Sequence, residues 1–471
     1  MGAARVRAGV VSVAALLALA ILTGAVSAHA GPRPAARFGV IDAHDSPDAA
    51  RALGLGWERI TFDWARLQPG GSGDFDLDAV DPAWLADAAD AGREVVGLIV
   101  NTPGWASESG RASAVPQGLD LPPDDPANVW GAFAARLAAH YGPLGVHRWI
   151  IYDEPDVRPS EGRVRFEGEV ADYARLVTVA AEQMRAADPQ AVIHLGALQG
   201  WTDTAAGREP YLARLLHVLS ADPDAVAHGF YFDVATVRVF NDTQAVLDRV
   251  TAARAALDAA GLPDKAIWLE TNASPTLDGG QMDAPIFGVT GEQQADFVVQ
   301  AAALALAAGV ERIGVYRLVD APDEDQPWGL VRADGSPRPA FDAYRTVIDL
   351  FGPTLAAAHY PHTAAELIGL EQPGRVVWVM WARDTMPVQF ILTVGEVGAR
   401  GRLYSVQGRA GTIQAARYDW PAAFTVETGG AQRDPHGFLV VGGPPQMLAL
   451  DRGEFFNVGY VVVDGARYRV K

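Results

Sequence analysis

Two apolar runs in this sequence end in carboxylates. Trp149-Ile150-Ile151-Tyr152-Asp153-Glu154-Pro155 carries Glu154, and Ile267-Trp268-Leu269-Glu270-Thr271-Asn272 carries Glu270. A carboxyl at the end of a buried strand is poised to exchange protons, and two of them facing one gap can flank a scissile bond. At a separation near about 5 Å one acts as acid and base while the other attacks as nucleophile, giving hydrolysis with retention of configuration. The chain has no cysteine, so thiol nucleophiles, disulfides and Cys-ligated metals are excluded. Its ten histidines include no His-Glu-x-x-His pair, and Gly54-Leu55-Gly56 is too short for a dinucleotide fingerprint. The reading therefore needs no cofactor and no metal.

Eight short apolar runs position these acids: Arg37 to Ala43, Trp57 to Phe62, Glu94 to Val100, His147 to Tyr152, Ala191 to Leu198, Phe232 to Phe240, Ala266 to Leu269 and Arg312 to Leu318. Amphipathic stretches separate them, among them Ala127 to His140, Glu169 to Ala187, Thr243 to Ala260 and Gly291 to Ala308. Eight alternations predict an α/β fold of the (β/α)8 TIM-barrel type, with an open doubly wound sheet as the alternative. Glu154 and Glu270 then end strands 4 and 7, at the barrel face where active sites form. After Gly352-Pro353 the runs are β-rich and turn-punctuated, for example Arg375 to Ala382, Val388 to Val394, Phe438 to Val441 and Gly459 to Val463. These predict a C-terminal β-sandwich domain packed firmly on the barrel.

The expected organisation is residues 1–30 for targeting, 31–353 for the barrel and 354–471 for the sandwich. Arg5 and Arg7 precede an apolar run from Val10 to Val26 that closes on Ala28-His29-Ala30, the pattern of a cleaved signal peptide, with an uncleaved anchor as alternative. An extracellular or cell-surface location follows, with no other membrane attachment. The 38 Lys and Arg against 57 Asp and Glu give a net charge of -19, a field that repels nucleic acid. The acidic loops from Asp120 to Asp125 and from Asp320 to Asp325 lack calcium-loop spacing and read as solvated rim charge.

The motifs around the two acids resemble clan A retaining glycoside hydrolases, of the family 39 or xylosidase and glucanase type. The resemblance spans residues 37 to 350. It includes Gly56-Trp57-Glu58-Arg59-Ile60-Thr61-Phe62-Asp63-Trp64, Thr102-Pro103-Gly104-Trp105-Ala106, Trp328-Gly329-Leu330, and the Asp334-Gly335 to Tyr344 passage. It implies a carbohydrate substrate, Glu154 as acid/base, Glu270 as nucleophile, and Arg59 as the partner that keeps Glu270 ionised. Trp105, Trp201 and Trp328 fall in βα loops, where an indole face can stack on a sugar or anchor the loop.

Three positions depart from the family pattern. Asp153 stands where an Asn usually donates to the sugar 2-hydroxyl, and an ionised carboxylate cannot donate. Arg238-Val239-Phe240 replaces a His-x-Tyr, so the Tyr hydroxyl that touches the nucleophile is missing, and Tyr316-Arg317-Leu318 replaces a Trp platform. Asp153 and Arg238 could pair with each other, or could bind a charged sugar such as a uronic acid. The expectation is an exported retaining glycosidase; the alternative is a non-catalytic carbohydrate-binding protein on the same barrel. An Arg238 that fills the gap between Glu154 and Glu270 would favour the alternative.

Overall fold

The computed structural model describes residues 34–158, 164–279, 288–322, 324–394, 397–417 and 422–451, and the backbone of 456–463 and 466–469. The targeting segment at residues 1–30 lies outside them. Among the described residues no helix is long and apolar enough to cross a membrane.

Eight parallel strands close into a barrel in sequence order: β1 (Phe38–Ile41), β2 (Trp57–Asp63), β3 (Glu94–Val100), β4 (Arg148–Ile151), β5 (Val192–Leu195), β6 (Val234–Phe240), β7 (Ala266–Asn272) and β8 (Arg312–Val315). The open-sheet alternative is thereby excluded. Long helices at Val129–Tyr141, Val170–Ala187, Thr243–Ala259, Gly291–Ala307 and Pro339–Phe351 form the outer ring. Their buried residues are mostly apolar, and several begin with a side chain that satisfies the free N–H groups of the first turn. Asn128 accepts from the Gly131 N–H and Thr290 from that of Gln293.

The barrel interior is filled by Trp57, Val96, Leu98, Ile150, Val234 and Trp268. Trp57 is accommodated because its neighbours in register, Gly39 on β1 and Gly314 across β1 on β8, lack side chains. A Cβ on Gly39 would sit 2.3 Å from the Trp57 ring, and one on Gly314 would sit 2.5 Å from it. Beneath, Trp268 lies between Arg148 and Arg312, whose guanidinium carbons are 5.2 and 4.6 Å from its ring centroid. Glu94 pairs with both arginines. Charge and aromatic area thus close the end of the barrel opposite Glu154 and Glu270.

Beyond Pro353 come β9 (Ala356–His359), β10 (Ala365–Gln372), β11 (Arg375–Ala382), β12 (Val388–Val394), β13 (Arg400–Tyr404), β14 (Ala410–Gln414), β15 (Ala422–Thr428), β16 (Gln446–Asp451), β17 (Phe456–Val463) and β18 (Ala466–Arg469). They form a six-stranded sheet, β14-β13-β16-β11-β10-β9, and a four-stranded sheet, β15-β12-β17-β18. The unbroken apolar run of β11 follows from burial on both faces. Val377, Val379 and Trp381 join the core shared with the barrel helices, while Trp378, Met380 and Ala382 face the second sheet. The run Phe438 to Val441, expected as a strand, is irregular. It is spent on docking: Val440 and Val441 join the shared core, and the Val440 carbonyl accepts from Thr243 N–H at 3.2 Å.

Candidate active site

Parallel pairing sets the height of each side chain at the barrel mouth. β7 runs three residues past the expected Leu269, because Arg238, Val239 and Phe240 pair with Glu270, Thr271 and Asn272. Glu270 therefore sits within the strand, level with Arg238. Glu154 lies three residues beyond β4, where the chain turns through two left-handed residues, Tyr152 at φ 57 and Glu154 at φ 44. Non-glycine residues hold that conformation at a cost of order 1–3 kcal/mol, and here it swings the Glu154 carboxyl over the mouth.

Five charged side chains converge. Arg59 donates through Nη1 to both Glu270 oxygens, at 2.7 and 2.6 Å. Arg238 donates through Nη2 to Glu270 Oε2 at 2.6 Å, and through Nη1 to Glu154 Oε1 at 2.6 Å and Asp153 Oδ2 at 2.9 Å. One planar guanidinium thus occupies the gap between Glu154 and Glu270. Of the two roles open to Asp153 and Arg238, mutual pairing is the one formed. A sugar carboxylate would have to displace three protein carboxylates from Arg238.

These contacts set the protonation states. Burial pushes Glu270 up, but Arg59 and Arg238 outweigh it and hold the carboxyl below its ordinary range. Burial likewise raises Glu154, and Arg238, assisted by the Gln199 amide, brings it below the ordinary range. Asp153 moves the other way, because burial and the negative charge of Glu154 exceed the pull of Arg238. Ionised Glu270 suits a nucleophile. An ionised Glu154 has no proton to give a leaving group, so the expected acid is disarmed at rest.

An aromatic wall closes the β6 to β8 side. Phe240 packs on Trp328 and Tyr316 with ring centroids 4.9 and 5.7 Å apart. The Arg59 guanidinium carbon is 5.7 Å from the Tyr316 centroid, and the Tyr316 hydroxyl bonds Glu324. Asn272 ties this wall together by donating to the carbonyls of Tyr316 and Trp328, each at 2.6 Å. Phe240 thus fills with packing the place of the absent hydroxyl. Trp105 stands apart from this group: its indole N–H donates to the Gln68 carbonyl at 2.7 Å and its ring meets Trp64 edge-on, a loop anchor.

Two cavities flank the charged cluster. One of about 570 Å³ lies toward β1, β2 and β8, lined by Asp42, His44, Asp63, Trp84, Arg317 and Asp320 among others. Its half-buried Arg317 is engaged, pairing with Asp42 at 2.8 Å and Asp45 at 2.7 Å. Asp320, read from sequence as solvated rim charge, instead holds Arg338 at 2.8 Å. The second cavity, about 420 Å³, lies beside Arg238 and is faced by Trp201, Phe240, Asn241 and Arg249. Gln199, which sequence reasoning missed, joins this cavity to the acids: its amide donates to Glu154 Oε1 at 2.6 Å and its carbonyl accepts from the Trp201 indole at 2.6 Å. Its only sequence signal was its place after the fifth apolar run.

No family model and no curated protein matches the sequence. Solved structures match the fold. A family 39 glycoside hydrolase from Bacteroides cellulosilyticus WH2 aligns over 89% of this chain and 81% of its own, at TM-score 0.64 and 14% identity. A glucosidase from Croceicoccus marinus aligns over 86% and 91%, at TM-score 0.56 and 13% identity. A family 30 endoxylanase from Clostridium papyrosolvens C71 aligns over 88% and 96%, at TM-score 0.56 and 12% identity. Enzymes of families 44 and 51 also match. The fold is that of the clan A glycoside hydrolases, a TIM barrel carrying a β-sandwich.

Proposed function

We propose that this chain is an exported carbohydrate-binding protein built on a retaining-glycosidase barrel, with its two acids held as an ionic anchor. The observation that carries the reading is the Arg238 bridge between Glu154 and Glu270. Double displacement needs the anomeric carbon beside Glu270 and a proton on Glu154; the bridge obstructs the first and removes the second. The loss of an amide donor at Asp153 and of a hydroxyl at Phe240 points the same way. The aromatic wall and both flanking cavities remain available to a neutral glycan. Export rests on the basic, apolar, small-x-small N-terminus.

A second reading, hydrolysis after substrate displaces Arg238, is favoured by one observation. Arg59 still clasps both Glu270 oxygens, as a nucleophile requires. In that case Glu270 attacks the anomeric carbon, Glu154 protonates the leaving oxygen and then activates water.

The test is to incubate the purified chain with aryl xylosides, arabinosides, glucosides and glucuronides and with soluble xylan and β-glucan, and to measure binding of the same glycans. Glu270→Ala is the control. Binding without release supports the proposal. Release by wild type that Glu270→Ala abolishes overturns it in favour of the second reading.

A further inference from the structure

Two side chains that line the cavity, Arg238 and Gln199, each donate to Glu154 Oε1 at 2.6 Å, and the orientation of Gln199 is dictated by Trp201. An indole N–H only donates, so it must face the Gln199 carbonyl; the amide NH₂ is then turned to Glu154, where it favours the carboxylate. The backbone of this loop is pinned on both sides. Gly200 N–H donates to Asp156 Oδ2 at 2.7 Å, and the Gly200 carbonyl accepts from Arg249 at 2.6 Å. The side chains of Gln199 and Trp201 both face the cavity, and Trp201 is 46% exposed.

Resting on the carbohydrate-binding reading above, we propose that the Trp201 cavity is a saccharide subsite and that Gln199 is a positioning residue that reports its occupancy to Glu154. A pyranose ring stacked on Trp201 offers hydroxyl oxygens to the indole N–H. Once that N–H turns to the sugar, the Gln199 carbonyl loses its donor and the amide is free to present its oxygen to Glu154, which favours the protonated acid. The one bond that forms is the O–H of protonated Glu154, its proton given up by a solvent hydronium ion; no bond between heavy atoms changes. The sugar is neutral, because both cations at this cavity are committed: Arg238 to the three acids, Arg249 to Gly200 and Thr204. The charges facing Glu154 are Arg238 from β6, Asp153 beside it, Asp156 from the following turn and Arg165. Gln199 is the uncharged group among them, and so the one that can switch between donating and accepting.

The experiment follows the Glu154 carboxyl by carbon-13 NMR in glutamate-labelled protein, assigned with Glu154→Gln, through a pH titration with and without xylohexaose or cellohexaose. In wild type the sugar weakens the Glu154 acid constant about tenfold, the scale of one hydrogen bond to a charged group. Trp201→Phe keeps an aromatic face without the N–H that fixes Gln199, and is expected to bind sugar with no further sugar-induced change at Glu154. Gln199→Leu is expected to show the tenfold weakening already without sugar and no further change with it. An equal sugar-induced change in Trp201→Phe, or a ligand-free Gln199→Leu identical to wild type, overturns the coupling. If neither oligosaccharide binds, the saccharide reading of the site falls, and the ligand-free Gln199→Leu titration still decides whether Gln199 governs Glu154.

Discussion

Arg238 Nη1 lies 2.6 Å from Glu154 Oε1, in a cluster where Arg238 is 6% exposed and Glu270 is 2% exposed. Arg59 does not replace this cation at Glu154, since it is committed to Glu270. Removing one partner of a buried ionic cluster leaves charges unsatisfied and costs about 3–5 kcal/mol. Arg238→Met, of similar reach and no charge, is therefore expected to lower unfolding free energy by that amount in a denaturant titration. A loss under about 1 kcal/mol would mean that the cluster is far wetter than its burial indicates.

If the departures at Asp153, Arg238 and Phe240 withhold turnover, reversing them together should release it. Asp153→Asn with Arg238→His and Phe240→Tyr removes one acid and the bridging cation, and returns a hydroxyl beside Glu270. Glu154 should then keep its proton to higher pH, because the charge that holds it down has gone. The expected outcome is measurable release from aryl glycosides that Glu270→Ala abolishes in the same background. A folded triple variant without release would show that turnover is withheld elsewhere.

The same charges shape stability against pH. Glu270 and Glu154 titrate below their unfolded values, so their contribution is complete above about pH 4.3 and is lost as pH falls and Arg59 and Arg238 are left unpaired. Asp296, on the helix facing the sandwich, is pushed up to about 8 by burial and then by Glu292. The folded state holds its proton where the unfolded chain has released it, so stability falls as pH rises from about 4 towards about 8. Maximum stability should lie on the acidic side of neutrality. Asp296→Asn should flatten the decline between pH 5 and 8 in thermal unfolding; an unchanged slope would remove Asp296 from the account.

The barrel was legible because its strands are short apolar runs and most of its helices bury one face, so periodicity separates them. Runs such as Glu94 to Val100 emerged with unchanged bounds. Phe438 to Val441 failed the same test because an apolar run records burial, and here burial is by docking on the barrel. Glu154, Glu270, Arg59, Asp153 and Arg238 meet because parallel register places strand ends at one level. What each does in the cluster was not legible: whether Arg238 would pair with Asp153 alone or bridge both glutamates depends on distances across the barrel. Gln199 was invisible for a related reason, being an ordinary loop residue until Trp201 fixes which end of its amide meets Glu154. Trp105, a sugar-stacking candidate, has its indole N–H bonded to the Gln68 carbonyl, a contact its sequence position did not announce.

The site's height depends on a packing relation deep in the barrel, where Gly39 and Gly314 make room for Trp57. In Gly39→Ala the new methyl would meet the Trp57 ring at 2.3 Å and its own strand neighbour's carbonyl oxygen, Trp57 O, at 2.6 Å. The ring is already packed 5.0 Å from Trp268, centroid to centroid, and the carbonyl cannot turn without breaking the β1–β2 ladder. Overpacking of this kind costs about 1–3 kcal/mol when side chains can adjust, and the backbone contact puts this substitution at the upper end or beyond. Gly411→Ala, on β14 with nothing within 4 Å of the added methyl, is expected to be neutral or slightly stabilising through loss of unfolded-state freedom. Denaturant midpoints of the two variants against wild type decide it. Because β1 pairs with both β2 and β8, a spread at Gly39 should also loosen the hold of Arg59 on Glu270. The Gly39→Ala protein should therefore lose glycan affinity as well as stability, whereas equal midpoints for the two variants would show that Trp57 has more room than its neighbours allow.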